Sequence, residues 1–210
     1  MLIEYNQIIQ KYGLRFKNVI HIGAHYGEEA KSYYDNGVQK SIWIEANPSL
    51  IPILKKRVNY PNCTFINACL SDKIGDKISL NLSNNDGLSS SILDLSYHKI
   101  AHPDVKYIDS VEVITDTLDN VFEKNNISFE ECDFMNADIQ GAELLMLKGA
   151  NKILPNLKGI YIEVNQKELY KGCAMLPDID DYLSKFGFER KELVWCGDFG
   201  WGDAFYLKKQ

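Results

Sequence analysis

The feature that most constrains this chain is an alternation of short β-branched runs with helical segments, punctuated by glycine and proline. Residues 18–22, Asn-Val-Ile-His-Ile, form a strand-like run that stops at Gly23. Residues 28–34 then read as a helix closed by Asn36-Gly37 in the manner of a helix C-terminus. Residues 41–45 give the next strand, and Asn47-Pro48-Ser49 opens a helix through Val58, with the proline near its first turn. Residues 64–70 give a third strand. Strand-helix-strand-helix-strand in this order dictates a parallel sheet with right-handed crossovers. Further along, residues 132–138 and 159–164 read as a fourth and a fifth strand, separated by a helix over 142–154. A helix over 179–186 ends at Gly187. Runs 191–196 and 204–207, joined through a glycine-rich turn, predict an antiparallel C-terminal hairpin.

The long stretch 71–131 interrupts the alternation. It holds strand-like runs at 77–82 and 110–114, and between them residues 83–109, rich in Ser, Asn and Asp. A segment that long in a compact domain is usually functional. No internal repeat or linker divides the chain, so residues 1–210 are expected to form a single α/β domain: a mostly parallel, Rossmann-like sheet with an insertion between its third and fourth parallel strands.

The 210 residues are 45% hydrophobic and 25% charged, a balance that supports a packed core and excludes disorder. No apolar run approaches the roughly 20 residues of a membrane span. The opening segment carries Glu4 among Leu2, Ile3, Ile8 and Ile9, which suits an amphipathic helix and not a signal peptide. The net charge of -6 argues against a nucleic-acid partner, whose affinity rests on phosphate neutralisation. The densest basic cluster, Lys55-Lys56-Arg57, reads as a solvated helix face. The five cysteines are odd in number and contain no CxxC pair, so neither a disulfide framework nor a zinc site is signalled. Three N-x-S/T triplets, at Asn62, Asn81 and Asn126, read as chance. Together these features predict a cytoplasmic protein.

The first strand runs into His21-Ile22-Gly23-Ala24-His25-Tyr26-Gly27-Glu28. Strand, glycine turn and helix let backbone approach a nucleotide-like ligand closely. Glu45 ends the second strand and Ala46 follows it, roughly 20 residues past the glycines, where a carboxylate accepts both hydroxyls of an adenosine ribose. Nicotinamide dinucleotides use the same device, but their pyrophosphate needs a helix start without acids. Here Glu28 and Glu29 occupy that start. S-adenosylmethionine (SAM) has no phosphate and carries a sulfonium and an ammonium, so acidic surroundings favour it. Ser71 and Asp72, at the end of the third strand, are candidates for the adenine edge. Tyr26 is a candidate for cation–π contact with the sulfonium.

These motifs resemble those of the FkbM family of O-methyltransferases over almost the whole chain. VIHIGAHYGEE is similar to the family's first motif, IWIEANP to its second and INACLSDKIGD to its third. DGLSSSIL resembles its serine-rich motif. DFMNADIQGAELLMLKGA resembles the family block of Asp, Gly and Glu entering a long helix, and IYIEVNQKELYKG and WGDAFYLKK fit as well. His21 departs from the acidic residue of many class I enzymes, and Asn136 from the Lys of many family members, so no lysine-based role carries over there. The resemblance implies a class I methyltransferase fold, SAM as methyl donor, and methylation of a hydroxyl on a sugar or glycan such as a deoxyhexose. It also implies a place within or beside a glycosyltransferase system.

A hydroxyl acceptor must lose or share its proton; a divalent metal would be an alternative means of polarising it. Ligands of open parallel sheets bind beyond the carboxyl ends of the strands. Asp138 and Glu163 end the fourth and fifth strands, so both are candidate catalytic carboxylates, with Asp138 also facing the cofactor. A helix N-cap is the structural alternative for Asp138, and Glu143 suits the first turn of the following helix. His98 is a candidate base and His102 accompanies it in the insertion, with Ser89, Ser90 and Ser91 as hydrogen-bonding partners for the acceptor. Trp195 and Trp201 are candidates for stacking on a sugar or for core filling. The alternatives are a nicotinamide-dependent oxidoreductase and a SAM-binding module without catalysis.

Overall fold

The computed structural model describes residues 1–209. After a first helix, α1 (Tyr5–Tyr12), come β1 (Asn18–Ile22), α2 (Ala30–Asp35), β2 (Lys40–Glu45), α3 (Ile51–Arg57), β3 (Cys63–Asn67) and β4 (Cys69–Leu70). The insertion contributes β5 (Lys77–Ser83), α4 (His98–Ala101), β6 (Tyr107–Asp116) and α5 (Leu118–Lys124). The chain then returns through β7 (Phe134–Ala137), α6 (Glu143–Lys148), β8 (Gly159–Asn165) and α7 (Leu176–Ser184) to the hairpin of β9 (Phe188–Trp195) and β10 (Trp201–Lys208).

The main sheet has seven strands in the order β3-β2-β1-β7-β8-β10-β9. The first five are mutually parallel, and β10 joins antiparallel to both β8 and β9. Strands β1, β2, β7 and β8 are covered on both faces, which is why they read as continuous apolar runs. On one face Ile20, Ile22, Met135, Ile160 and Ile162 pack with Leu118 and Phe122 of α5, Met146 and Leu147 of α6, and Ile179 and Leu183 of α7. On the other, Val19, Trp43, Phe134, Tyr161 and Phe205 pack with Tyr5 and Ile8 of α1, Tyr33 of α2 and Leu54 of α3. The chain runs outward from β1 through β2 to β3 on one side and later returns to β7 and β8 on the other, so β1 and β7 flank the switch point at which open α/β sheets bind ligands.

Three elements depart from the sequence expectation. The third strand does not continue to Leu70. The Asn67 side-chain amide donates to the carbonyls of Glu45 (2.8 Å) and Ala46 (3.0 Å), closing the end of β2. The chain then turns away, and Cys69–Leu70 joins a second, three-stranded sheet of order β4-β6-β5. The helix expected over 142–154 is shorter, because at Gly149 the backbone touches the Ser71 carbonyl; a Cβ there would lie 2.3 Å from that oxygen. Helix α5 was not anticipated. The Thr117 hydroxyl caps it by accepting from the Asn120 amide (3.2 Å), and Leu118, Val121 and Phe122 form its buried stripe. Among the described residues no helix is long and apolar enough to cross a membrane.

Candidate active site

Two clefts open at the carboxyl ends of the parallel strands. The first is lined by Ile22 and Gly23 at the end of β1, Glu45 and Ala46 at the end of β2, Cys69 and Leu70 of β4, Leu88 of the insertion, and Asp138 and Gln140 after β7. Gly23 is left-handed (φ +76°), and a Cβ there would sit 1.8 Å from the Asp138 carbonyl oxygen, so only glycine lets the ends of β1 and β7 meet. Glu45 is buried, and burial raises its carboxyl pKa above the usual range. Two backbone amides partly offset this: Asn47 donates to Oε1 and His25 to Oε2, both at 2.8 Å. Each oxygen keeps a further acceptor site. The turn is braced by the His25 ring, paired with Glu28 (3.0 Å) and with the Asp86 carbonyl of the insertion (2.9 Å).

The second cleft is lined by Asn85, Leu88, Ser89, His98, His102, Val105, Asp138, Gln140, Glu163, Leu169, Tyr170 and Trp201. Asp138 and Gln140 therefore stand in the wall of both clefts. Carboxylate oxygens of Asp138, Glu143 and Glu163 lie within 4.8 Å of one another. That spacing suits a divalent cation, but protein donors already take one oxygen of each carboxylate. The Gln140 amide donates to Asp138 (2.6 Å) and Glu163 (3.0 Å), and the amides of Ile139 (3.0 Å) and Gly141 (3.2 Å) donate to Glu143. No step through a metal follows from this arrangement.

Burial of the carboxyls raises the pKa of all three acids, with negative neighbours adding to it. Enclosure of its carboxylate by the protein around the cleft junction, and then the negative Asp203, push Asp138 up to about 6. Burial, opposed by backbone donors and helped by Asp138, pushes Glu143 up to about 7. Burial, Asp138 and Glu143 hold Glu163 well above the carboxylate range. Asp138 is the exposed member of the three, open to the clefts, whereas Glu143 and Glu163 are buried. His98 is buried with Nδ1 unpartnered, and burial together with His102 lowers its pKa to about 4, so its ring is neutral near pH 7.

With this geometry in place, the sequence proves to match the Methyltransferase FkbM domain over residues 21–190. The chain belongs to the FkbM methyltransferase family. A similar curated protein is the 2-O-methyltransferase NoeI of Sinorhizobium fredii, 26% identical over 176 residues, which cover 80% of this chain and 71% of NoeI. Similar solved structures include the N-methyltransferase NodS of Bradyrhizobium japonicum (TM-score 0.54, 9% identity, 98% of this chain and 94% of NodS). Another is M. capricolum TrmK in complex with S-adenosylhomocysteine (TM-score 0.55, 10% identity, 100% of this chain and 70% of TrmK). These likenesses establish the class I methyltransferase fold. This FkbM chain is thus a SAM-dependent methyltransferase, and nothing in the comparisons supports the nicotinamide alternative.

In this FkbM methyltransferase the residues singled out from sequence divide into two groups. Gly23, Glu45, Ala46 and Asp138 line the first cleft, and Asp138, Glu163, His98, His102, Ser89 and Trp201 line the second. Ser90 and Ser91 line the first. The others sit elsewhere. His21 is buried behind the sheet, stacked on Trp43 and bonded to the Tyr33 hydroxyl (3.0 Å), because alternation along β1 turns it away from the face of Ile22. Ala24 and Gly27 shape the turn; a Cβ on Gly27 would lie 2.2 Å from Val58. Glu28 is not in the cleft wall itself but pairs with His25, which is. Tyr26 already carries the Arg57 guanidinium over its ring (4.4 Å) and lines an outer groove. Ser71 and Asp72 are not in the wall of the first cleft, which Cys69 and Leu70 line on that side; the Ser71 amide is bonded to the Asp116 carbonyl at the end of β6. Sequence reasoning missed Gln140 and Tyr170, whose only outward sign was the glycine after Gln140.

Proposed function

We propose that this methyltransferase acts on a hydroxyl of a sugar or glycan, with Asp138 as the base. The observation that carries the reading is that Asp138 stands in the wall of both clefts. A group there reaches donor and acceptor at once, as a positioned transfer requires. The first cleft fits SAM: Glu45 would accept the ribose hydroxyls, and Gly23 would admit the chain close to the β1–β7 junction. Bound SAM supplies a methyl group already activated by its sulfonium. The remaining demand is on the acceptor, whose proton Asp138 takes; a carboxyl near 6 is ionised at neutral pH yet basic enough for that task.

The second cleft alternates polar groups (Asn85, Ser89, His98, His102, Gln140, Glu163) with apolar or aromatic ones (Leu88, Leu169, Tyr170, Trp201). Sugar rings present hydroxyl edges and apolar faces in the same way. The name of NoeI supports oxygen as the acceptor atom. We further infer that residues 1–210 act as one methyltransferase domain and, from five unpaired cysteines, that they work in a reducing compartment such as the cytoplasm.

The test is a labelled-methyl screen across free sugars, glycans, catechols, peptides and RNA, run with wild type and Asp138→Asn. Incorporation is expected in a carbohydrate, and the variant should lose roughly 100-fold in turnover, the scale of a lost general base. Methylation of RNA or peptide with none of carbohydrate would overturn the acceptor assignment, and near-wild-type turnover in Asp138→Asn would remove the base.

A further inference from the structure

Gln140 joins the two carboxyls at the cleft junction, and the fold goes to some length to hold it there. Its backbone is left-handed (φ +55°), a conformation that disfavours a side chain. The Ser91 hydroxyl of the insertion donates to its carbonyl oxygen (2.7 Å). The hydroxyl of fully buried Tyr170 donates to its Oε1. Tyr170 comes this close because residue 141 is glycine: a Cβ on Gly141 would lie 2.9 Å from the Tyr170 ring. With Oε1 taken by Tyr170, the amide nitrogen must face Asp138 and Glu163, where it donates to both. The reversed amide would aim its oxygen at two acids.

We propose that Gln140, clamped by Tyr170 and Ser91, is a positioning residue that assigns the base role to Asp138 by bridging it to Glu163. The proposal rests on Asp138 being the base. The bridge lets the pair share one negative charge, with the proton held on Glu163 and the charge on the open member, Asp138. The pKa directions agree. Both carboxyls are raised, and the Gln140 bond opposes the rise in each. The other groups facing the pair are Glu143 on α6, Asp203 on β10, Glu29 ahead of α2, the Met1 amino group, His98 on α4 and His102 just after it, and Tyr170 itself.

The experiment is a carboxyl ¹³C NMR titration of the cofactor-free protein labelled at Asp and Glu, with Asp138→Asn and Glu163→Gln supplying the assignments. Gln140→Leu removes the donor at similar size. The Asp138 midpoint should move up by about one pH unit, the effect of a tenfold change in proton affinity. Tyr170→Phe should move it the same way by less. The acid limb of the methyl-transfer rate, with whichever acceptor the screen finds, should follow the midpoint. A residue that merely supported the turn would lower the rate and leave the midpoint in place. An unmoved Asp138 midpoint in Gln140→Leu refutes the proposal; if that variant does not fold, an unmoved midpoint in Tyr170→Phe does. Full activity in Asp138→Asn would instead refute the base reading, while the midpoints would still report on the bridge.

Discussion

Gly23→Ala tests the architecture of the site most directly. Two costs are set by the structure. The residue sits at φ +76°, where an L side chain is strained by about 1–2 kcal/mol. The new Cβ would lie 1.8 Å from the Asp138 carbonyl oxygen and 2.8 Å from its carbon, both backbone atoms unable to swing aside. Relief needs the ends of β1 and β7 to part by about 1.2 Å, to reach the 3.0 Å below which real contacts essentially never fall. That movement strains the Asp138 N–H bond to Ile22 (3.0 Å) and the Gly23 N–H bond to Ile44 (3.0 Å). Forced overpacking of this kind costs about 1–3 kcal/mol. The expected loss in urea-melt stability is therefore about 2–5 kcal/mol. Because the same shift moves Gly23 and Asp138 in the cleft wall, S-adenosylhomocysteine affinity by calorimetry should fall as well. Gly37→Ala is the control: φ is +89°, but nothing lies within 4 Å of the added Cβ. It should lose only about 1–2 kcal/mol and bind normally. A Gly23→Ala protein within about 0.5 kcal/mol of wild type, with unchanged affinity, would refute the close approach of β1 and β7.

Two further outcomes follow from the site. Glu45→Ala should weaken S-adenosylhomocysteine binding roughly 10- to 100-fold in calorimetry, the loss of charged hydrogen bonds worth about 1.5–3 kcal/mol; unchanged affinity would remove Glu45 from the cofactor cleft. Asp138, Glu143 and Glu163 all have raised pKa values, so the folded state holds their protons more tightly than the unfolded chain does. The stability they contribute is present below about pH 4 and is lost as pH rises through about 6 to 7. Glu163→Gln should accordingly raise the melting temperature more at pH 7.5 than at pH 4.5, and an equal effect at both would refute the crowding.

Much of this fold was legible because its central strands are buried on both faces and therefore uniformly apolar. Glu45 stood out as a charge closing such a run. What was hidden depended on distant partners. The break after β3 follows from the Asn67 amide reaching across to β2, while the local sequence Ala68-Cys69-Leu70 stays apolar and reads as continued strand. His21 looked like a cofactor residue because a titratable group at a strand end reads alike from either face. Its alternation with Ile22 would have placed it behind the sheet. Asp138 and Glu163 could be read from their positions at strand ends. Gln140 could not, because an amide announces no titration and its partner Tyr170 lies thirty residues on. Helix α5 has only seven residues, too short for its period to stand out.

The three clustered acids are not interchangeable as bases, and burial decides among them. A base in methyl transfer gains one proton per turnover and must shed it before the next. Glu143 is buried, with one oxygen fixed by the amides of Ile139 and Gly141, so its role is to hold the turn that carries Gln140. Glu163, on β8 between β7 and β10, pairs in register with Asp203 of β10, has its pKa raised by burial and by its acidic neighbours, and, being buried, has no open path for proton exchange with solvent. Asp138 alone combines exposure to both clefts with a pKa near 6, close enough to neutrality to accept from a polarised hydroxyl and return the proton to solvent. Enclosure by the protein and the negative Asp203 raise its basicity, so the surroundings that cost stability at neutral pH also turn an ordinary strand-end aspartate into an effective base.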